Sequence, residues 1–149
     1  KKGTSNAEVF AVSFYVKGNA AATYALELYD SDNNRQCSKS FNVTTSWSRV
    51  ELLFPADTTG TFSSDVNQSL IMQIWLHAGT SWTSGTLNSS AFAANANNNR
   101  ALSTTSFFDS TDRTFFITGW QLEVGEVTDF EHRGFGEELM LCYRYLQHH

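Results

Sequence analysis

The sequence contains little of what several classes of protein need. Among its 149 residues there is one proline, and the two cysteines, Cys37 and Cys142, lie far apart and match no zinc-binding spacing. No basic run follows Lys1-Lys2 and the formal net charge is −5, so the clustered positive surface that nucleic acid requires is missing. No apolar run reaches membrane-spanning length, and no signal-peptide pattern occurs. We therefore expect no nucleic-acid partner and no membrane insertion.

The residues that are abundant favour an all-β protein. Hydrophobic residues make up 41% of the chain and aromatic residues 14%, which excludes a disordered chain. Twelve Phe, five Tyr and four Trp stand beside many Ser, Thr and Asn residues, as in β-proteins. We expect one domain over residues 1–146, excised from a longer chain, with 147–149 the remnant of a purification tag. Two separate thiols are expected, with a disulfide as the alternative.

Alternation of apolar and polar residues predicts the strands of an antiparallel β-sandwich. The predicted strands cover residues 9–17, 23–29, 35–43, 49–54, 69–78 and 114–124. Pro55 ends the fourth strand, because proline cannot donate a hydrogen bond to a neighbouring strand. The third strand is more polar and is expected near an edge. Residues 79–106 lack periodicity and are interpreted as a functional loop or a structured lid. A short amphipathic helix is predicted at 137–146, with an apolar stripe of Leu139, Cys142, Tyr143 and Leu146.

The strand at residues 114–124 has the longest uninterrupted β-signal, because aromatic and β-branched residues fill its first half. Strict alternation divides its residues into two faces. One face carries Phe116, Thr118, Trp120, Leu122 and Val124, and the other carries Phe115, Ile117, Gly119, Gln121 and Glu123. We expect the first face to join the core and the strand to lie in the centre of a sheet.

A candidate carbohydrate-binding face follows from the polar side of the fifth strand. Sugar recognition uses an aromatic ring that stacks on the sugar, together with planar polar groups that bond its hydroxyls. Gln73, Trp75 and His77 supply both kinds of group at a spacing of two residues. Outward residues of the first two strands would join them if these strands share a sheet, and one loop tryptophan completes the set. The predicted carbohydrate-binding residues are Tyr15, Glu27, Tyr29, Gln73, Trp75, His77 and Trp82. The alternative is that Trp75 is buried under a loop or at a subunit contact.

Two further features have less specific interpretations. The loop tryptophans Trp47 and Trp82 are favoured as plugs at the open end of the sandwich over ligand platforms. An acidic run of Glu123, Glu126, Asp129 and Glu131 is interpreted as a solvated edge, with a structural Ca²⁺ ion as the alternative. No other cofactor and no metal ligand is predicted.

An enzymatic interpretation has little support. Glu131-His132-Arg133 could suggest a general base, but adjacent residues of a strand point to opposite faces and cannot converge on one substrate. Glu131 and Arg133 are therefore expected to pair with strand-end or helix-cap groups. No hydrolase, zinc-protease or phosphate-binding motif occurs, so we expect no enzyme.

Several segments resemble a domain of bacteriophage structural proteins, common in marine phages and usually described as tail-fibre or virion proteins. The segments are AVSFYVKGN, YALELYDSDNNR, LLFPADTTGTF, GTSWTSGTLN and, the most specific, ITGWQLEVGEVTDFEHRGFGEELMLCYRYLQ. That domain is similar to jelly-roll carbohydrate-binding modules. The resemblance implies a β-sandwich of jelly-roll-like topology, a virion or extracellular location, and a surface for glycan contact or assembly. It implies no catalytic residues.

The expected function is therefore a non-catalytic receptor-recognition module of a phage appendage that binds a polysaccharide or cell-surface glycan. A purely structural domain for oligomerisation, as in a homotrimer, or for decoration of the virion is the first alternative. A binding module attached to a glycan-degrading enzyme is the second.

Overall fold

The computed structural model describes residues 1–102 and 105–143, and most of its regular structure is β-strand. The strands are β1 (Phe10–Gly18), β2 (Ala22–Asp30), β3 (Arg35–Val43), β4 (Ser48–Phe54), β5 (Leu70–Trp75), β6 (Ala93–Ala94) and β7 (Phe115–Val124). The helices are α1 (Thr80–Thr83) and α2 (Phe135–Tyr143), and 3₁₀ turns occur at Asn97–Asn99 and Phe107–Asp109. Two antiparallel sheets, with strand orders β4-β1-β7 and β5-β2-β3-β6, pack together. The predicted all-β sandwich with a short C-terminal helix is confirmed.

The core lies between β1 of one sheet and β2 of the other. Every second residue of each strand points into this core, and the middle of each strand is buried on its other face as well. The inward side chains from the two strands, each no more than 2% exposed, are Val12, Phe14, Val16, Tyr24, Leu26 and Leu28. Strand β4 adds Val50, Leu52 and Phe54, and β3 adds Cys37, Phe41 and Val43.

Local signals set the turn between β2 and β3 and the end of β4. Asp30 accepts a hydrogen bond from the Asn33 amide (3.0 Å), and Asn34 adopts a left-handed conformation (φ 52°), so the polar turn between β2 and β3 forms as predicted. Strand β4 ends directly before Pro55, also as predicted. Strand β5 ends at Trp75, three residues earlier than expected. Strand β3 has only the two-residue β6 between it and the sheet edge.

Residues 79–102, called the lid below, lie over the outer face of the four-stranded sheet. The lid contains α1 and β6, and β6 pairs with the start of β3. The Ser38 amide donates to the carbonyl of Asn88 (2.7 Å), and the Asn95 amide donates to that of Asn34 (2.9 Å). The described part of the segment predicted at 79–106 is thus a structured lid, and residues 103–104 lie outside the described residues.

Strand β7 differs from its prediction in position and in pleat. It is an edge strand of the three-stranded sheet, not a central one. Its pairing with β1 shifts register between Ser13 and Tyr15, because Gly119 adopts a left-handed conformation (φ 60°) and adds a residue to β7. The bulge exchanges the two predicted faces only in the part of the strand that precedes Gly119, and Trp120, Leu122 and Val124 keep the core-facing side predicted for them. The residues level with the core-facing side chains of β1 are therefore Phe115, Ile117, Trp120, Leu122 and Val124, whereas Phe116 and Thr118 point outward.

Helix α2 presents its apolar residues to solvent, because none of its described residues is buried. The predicted stripe of Leu139, Cys142 and Tyr143 is therefore exposed, and Leu146 and the end of the predicted helix lie outside the described residues. The two thiols are separate, as expected. Cys142 is exposed, whereas burial raises the pKa of Cys37 to about 11. No helix in the described part of the chain is long and apolar enough to cross a membrane.

Substitution of Gly119 by alanine should destabilise the protein by about 1–2 kcal/mol, because the left-handed conformation disfavours a side chain. The new Cβ would also lie 2.9 Å from Cδ2 of Tyr15. Urea denaturation would measure the change. Gly79→Ala is the matched control, because Gly79 has a φ of −80° and open space around it. Equal stability of the two variants would contradict the role assigned to the bulge.

Candidate functional site

Most of the predicted carbohydrate-binding residues converge on Glu27. Strand β5 lies beside β2 in a register that pairs Glu27 with Gln73, so the two side chains share the outer face of the sheet with Trp75. The Glu27 carboxylate accepts hydrogen bonds from the Gln73 amide and from Nε1 of Trp75 (2.8 Å). It also accepts two from Arg100 in the lid, at 2.7 Å from Nε and 3.1 Å from Nη2.

Arg100 lies at the centre of an aromatic enclosure. Its guanidinium carbon is 4.8 Å from the ring centroid of Tyr29, 5.5 Å from that of Trp75 and 5.3 Å from that of Trp82. The rings of Trp75 and Trp82 lie 5.2 Å apart. Cation–π contacts of this kind are strongest when the cation is shielded from water. The enclosure therefore adds to the ion pair that attaches the lid to the sheet.

This arrangement corrects the prediction of an open groove. Glu27 is fully buried, and its carboxylate oxygens are already engaged by Gln73, Trp75 and Arg100. A carboxylate in this state is not available to the hydroxyls of a sugar. Trp75 lies under the lid, which is the alternative that the sequence left open. Trp75 and Trp82 nevertheless remain partly exposed.

Sequence reasoning missed Arg100, although a signal was present. Arg100 is the only charged residue between positions 79 and 106. A single cation in a long polar segment, opposite a strand that carries Glu27 among apolar residues, is the pattern expected of a buried ion pair. Sequence separation hides the pairing, because the two residues are 73 positions apart.

The other predicted residues lie elsewhere. Strands β1 and β5 belong to different sheets, so Tyr15 of β1 cannot join the Glu27 cluster. Tyr15 lies instead on the outer face of the three-stranded sheet, beside Gly119. His77 follows β5, with Nδ1 2.8 Å from the Ser106 hydroxyl. Trp47 is 47% exposed and packs under the Lys17 ammonium, so it does not plug the sandwich.

A second charged cluster lies at one end of the sandwich and was not predicted. The Lys2 ammonium is buried between the carboxylates of Asp30 and Asp57, 3.1 Å from the latter, and donates to the Gly60 carbonyl (2.8 Å). Arg35 binds Asp57 with two hydrogen bonds of 2.9 and 3.0 Å. Burial alone would raise the pKa of Asp57, but hydrogen bonds from Arg35, the Thr59 amide and Lys2 outweigh it and hold the pKa below its usual value.

Metal ligands do not cluster in the described part of the chain, where no three His, Cys, Asp or Glu side chains could hold one ion. In the acidic run, Glu123 accepts hydrogen bonds from the hydroxyl and amide of Thr128, and Asp129 lies 3.4 Å from Arg49. These hydrogen bonds hold the pKa of Glu123 below its usual value. Arg133 pairs with Glu131 (3.1 Å) and with Glu138 in the first turn of α2 (3.7 Å).

The sandwich is open on the side where β5 and β7 are the edge strands. The core-facing residues of β7 there are Ile117, Trp120, Leu122 and Val124, exposed by 38, 38, 43 and 61%. An apolar cleft of about 400 Å³ separates Ile117 and Trp120 from Met72 and Ile74 of β5. On the outer side of the β7 edge, a groove of about 580 Å³ runs between residues 120–123 and a wall formed by 130–133 and Glu138.

Comparison of the chain with models of protein families, with curated proteins and with solved structures found no match.

Replacement of Glu27 by glutamine should destabilise the protein by about 2–4 kcal/mol, because it leaves the guanidinium of Arg100 without a charge partner under the lid. Urea denaturation measures the loss, and amide hydrogen exchange should rise in residues 79–102. Glu131→Gln is the control, since its ion pair with Arg133 is solvent-exposed and should cost below about 0.5 kcal/mol. If the two substitutions cost the same, Glu27 does not anchor the lid.

Asp57 should make stability depend on pH in the acidic range. Its folded pKa lies below the unfolded value of 3.8, so its stabilisation is complete above pH 3.8 and is lost as pH falls through the lower, folded pKa. Denaturation of the wild type and of Asp57→Asn from about pH 5 to pH 2 would test this. The difference in stability between them should shrink toward low pH. A constant difference across that range would contradict the assignment.

Proposed function

We propose that the chain is a non-catalytic structural module, joined to the neighbouring proteins of a larger assembly through the open side of its sandwich. The observation that carries this proposal is the exposure of Trp120, Leu122 and Val124 on the core-facing side of β7. Soluble domains rarely leave a contiguous apolar surface next to their core, and such a surface usually marks an interaction site. The cleft between β5 and β7 extends that surface into the interior.

Two further observations support a structural role. The buried carboxylates of Glu27, Asp30 and Asp57 are each paired with a cation, and these pairs connect distant segments of the chain. The resemblance of the QLEVG and FEHR segments to phage tail-fibre domains points to a virion appendage as the assembly. An extracellular location follows from that resemblance.

Self-association through the open side is the expected behaviour of the isolated chain. Light scattering should show a mass that rises with protein concentration, or a defined oligomer such as a trimer. Leu122→Lys should hold the chain at the monomer mass, because it places a charge on the apolar surface. Leu53→Lys is the matched control, since Leu53 is 53% exposed on β4, at the opposite edge of the same sheet. A wild type that stays monomeric and binds no apolar dye would overturn the proposal.

Glycan binding is the second candidate, as an independent module or one attached to a glycan-degrading enzyme. It is favoured by the convergence of Glu27, Tyr29, Gln73, Trp75 and Trp82 on one face, where the two indole rings remain partly exposed. The exposed part of these rings could stack on a sugar.

Affinity electrophoresis in gels containing bacterial or algal polysaccharides would test the glycan candidate. One of them should retard the wild type, and Trp82→Ala should weaken that retardation roughly tenfold through loss of the stacking ring. Trp47→Ala should leave it unchanged, because Trp47 lies in a separate loop. Absence of retardation by every polysaccharide, with folded protein, would remove this candidate.

A further inference from the structure

The free edge of β7 is the floor of a groove. Among the described residues, β7 pairs with β1 along one edge and with no strand along the other. An unpaired edge presents backbone N–H and C=O groups in a row, ready to bond another strand. The apolar cleft lies on the inner side of this edge and the 580 Å³ groove on its outer side.

The walls of the groove select a thin occupant. Residues 130–133 and Glu138 of α2 stand opposite residues 120–123, so a second sandwich approaching edge to edge would meet the helix. A single extended segment needs only about 5 Å of width beside the edge. It would place alternate side chains in the apolar cleft, over Ile74, Ile117 and Trp120.

The charges of the groove indicate the polar side of the occupant. Glu123, Glu131 and Glu138 line it against one cation, Arg133, in a chain whose net charge is already −5. Basic side chains would therefore be favoured at the positions of the occupant that face the groove. The acidic groove disfavours a segment of this acidic chain as the added strand, so two copies would meet through the apolar surface and not through the groove.

We infer that the edge of β7 accepts an extended segment of a neighbouring protein as an additional strand, with apolar residues toward the cleft and Lys or Arg toward the groove. This inference rests on the proposed function and names the mode of assembly. The added strand would bond its backbone to β7 and cover the exposed residues of the core.

The test uses a labelled synthetic peptide of about ten residues, the length of β7, in which valine alternates with lysine or threonine. Fluorescence anisotropy should show saturable binding to the 149-residue chain. A peptide of the same composition with its valines grouped should bind about tenfold more weakly, because it cannot place them on one face. Leu122→Lys should weaken binding to a similar extent, whereas Leu53→Lys should not change it.

N-methylation separates strand addition from general apolar binding. Two further peptides carry N-methyl groups on alternate residues, one set for each edge of the peptide, and only the set facing β7 should abolish binding. Equal effects of the two sets, or equal binding of the grouped peptide, would overturn strand addition.

Failure of strand addition can be distinguished from failure of the proposed function. If Leu122→Lys abolishes self-association but no peptide binds, the module assembles by another mode and only the strand inference falls. If the wild type neither self-associates nor binds the alternating peptide, both fall. A stable wild-type dimer that the peptide does not dissociate would identify a second copy as the occupant and overturn the inference.

Discussion

The packing of β1 against β2 is the contact on which the rest of the structure depends. Phe14 lies in the middle of this contact, 5.1 Å from the ring of Phe41 and 4.7 Å from that of Trp120. Leu26 and Leu28 point into the core. Because the side chains of a strand alternate, Glu27 between them must point to the outer face of the same sheet. The core thus decides where the first buried charge must lie, and the arrangement of the lid follows from that charge.

A buried carboxylate is tolerated only when it is paired and hydrogen-bonded. Glu27 meets this requirement through its ion pair with Arg100, which holds the lid over one face of the larger sheet. At one end of the sandwich Asp30 and Asp57 meet the same requirement with Lys2 and Arg35. These clusters resemble ligand-binding constellations in composition, but they connect distant segments of the chain. Their charged groups bind one another within the molecule.

The opposite situation holds where β5 and β7 end the two sheets. Here apolar residues on the core-facing side of β7 remain partly exposed, and in the described part of the chain the backbone of β7 has no second strand. Unsatisfied apolar surface and an unpaired edge favour association for independent physical reasons, the first by burial and the second by hydrogen bonding. Their coincidence on one side of the sandwich is what favours assembly over glycan contact as the principal role.

Sequence alone determined the features that arise within a strand or a turn: the alternation of β1 and β2, the polar turn after Asp30 and the end of β4 before Pro55. It also placed Gln73 and Trp75 on one face of β5 and Glu27 on the outward face of β2, since each strand has a period of two. Tertiary structure decided the rest. The edge position of β7, the reversal of its pleat at Gly119 and the pairing of Glu27 with Arg100 depend on contacts between residues far apart in the chain. Periodicity shows which residues of a strand share a face, but it does not show which strand lies beside it or which loop crosses it.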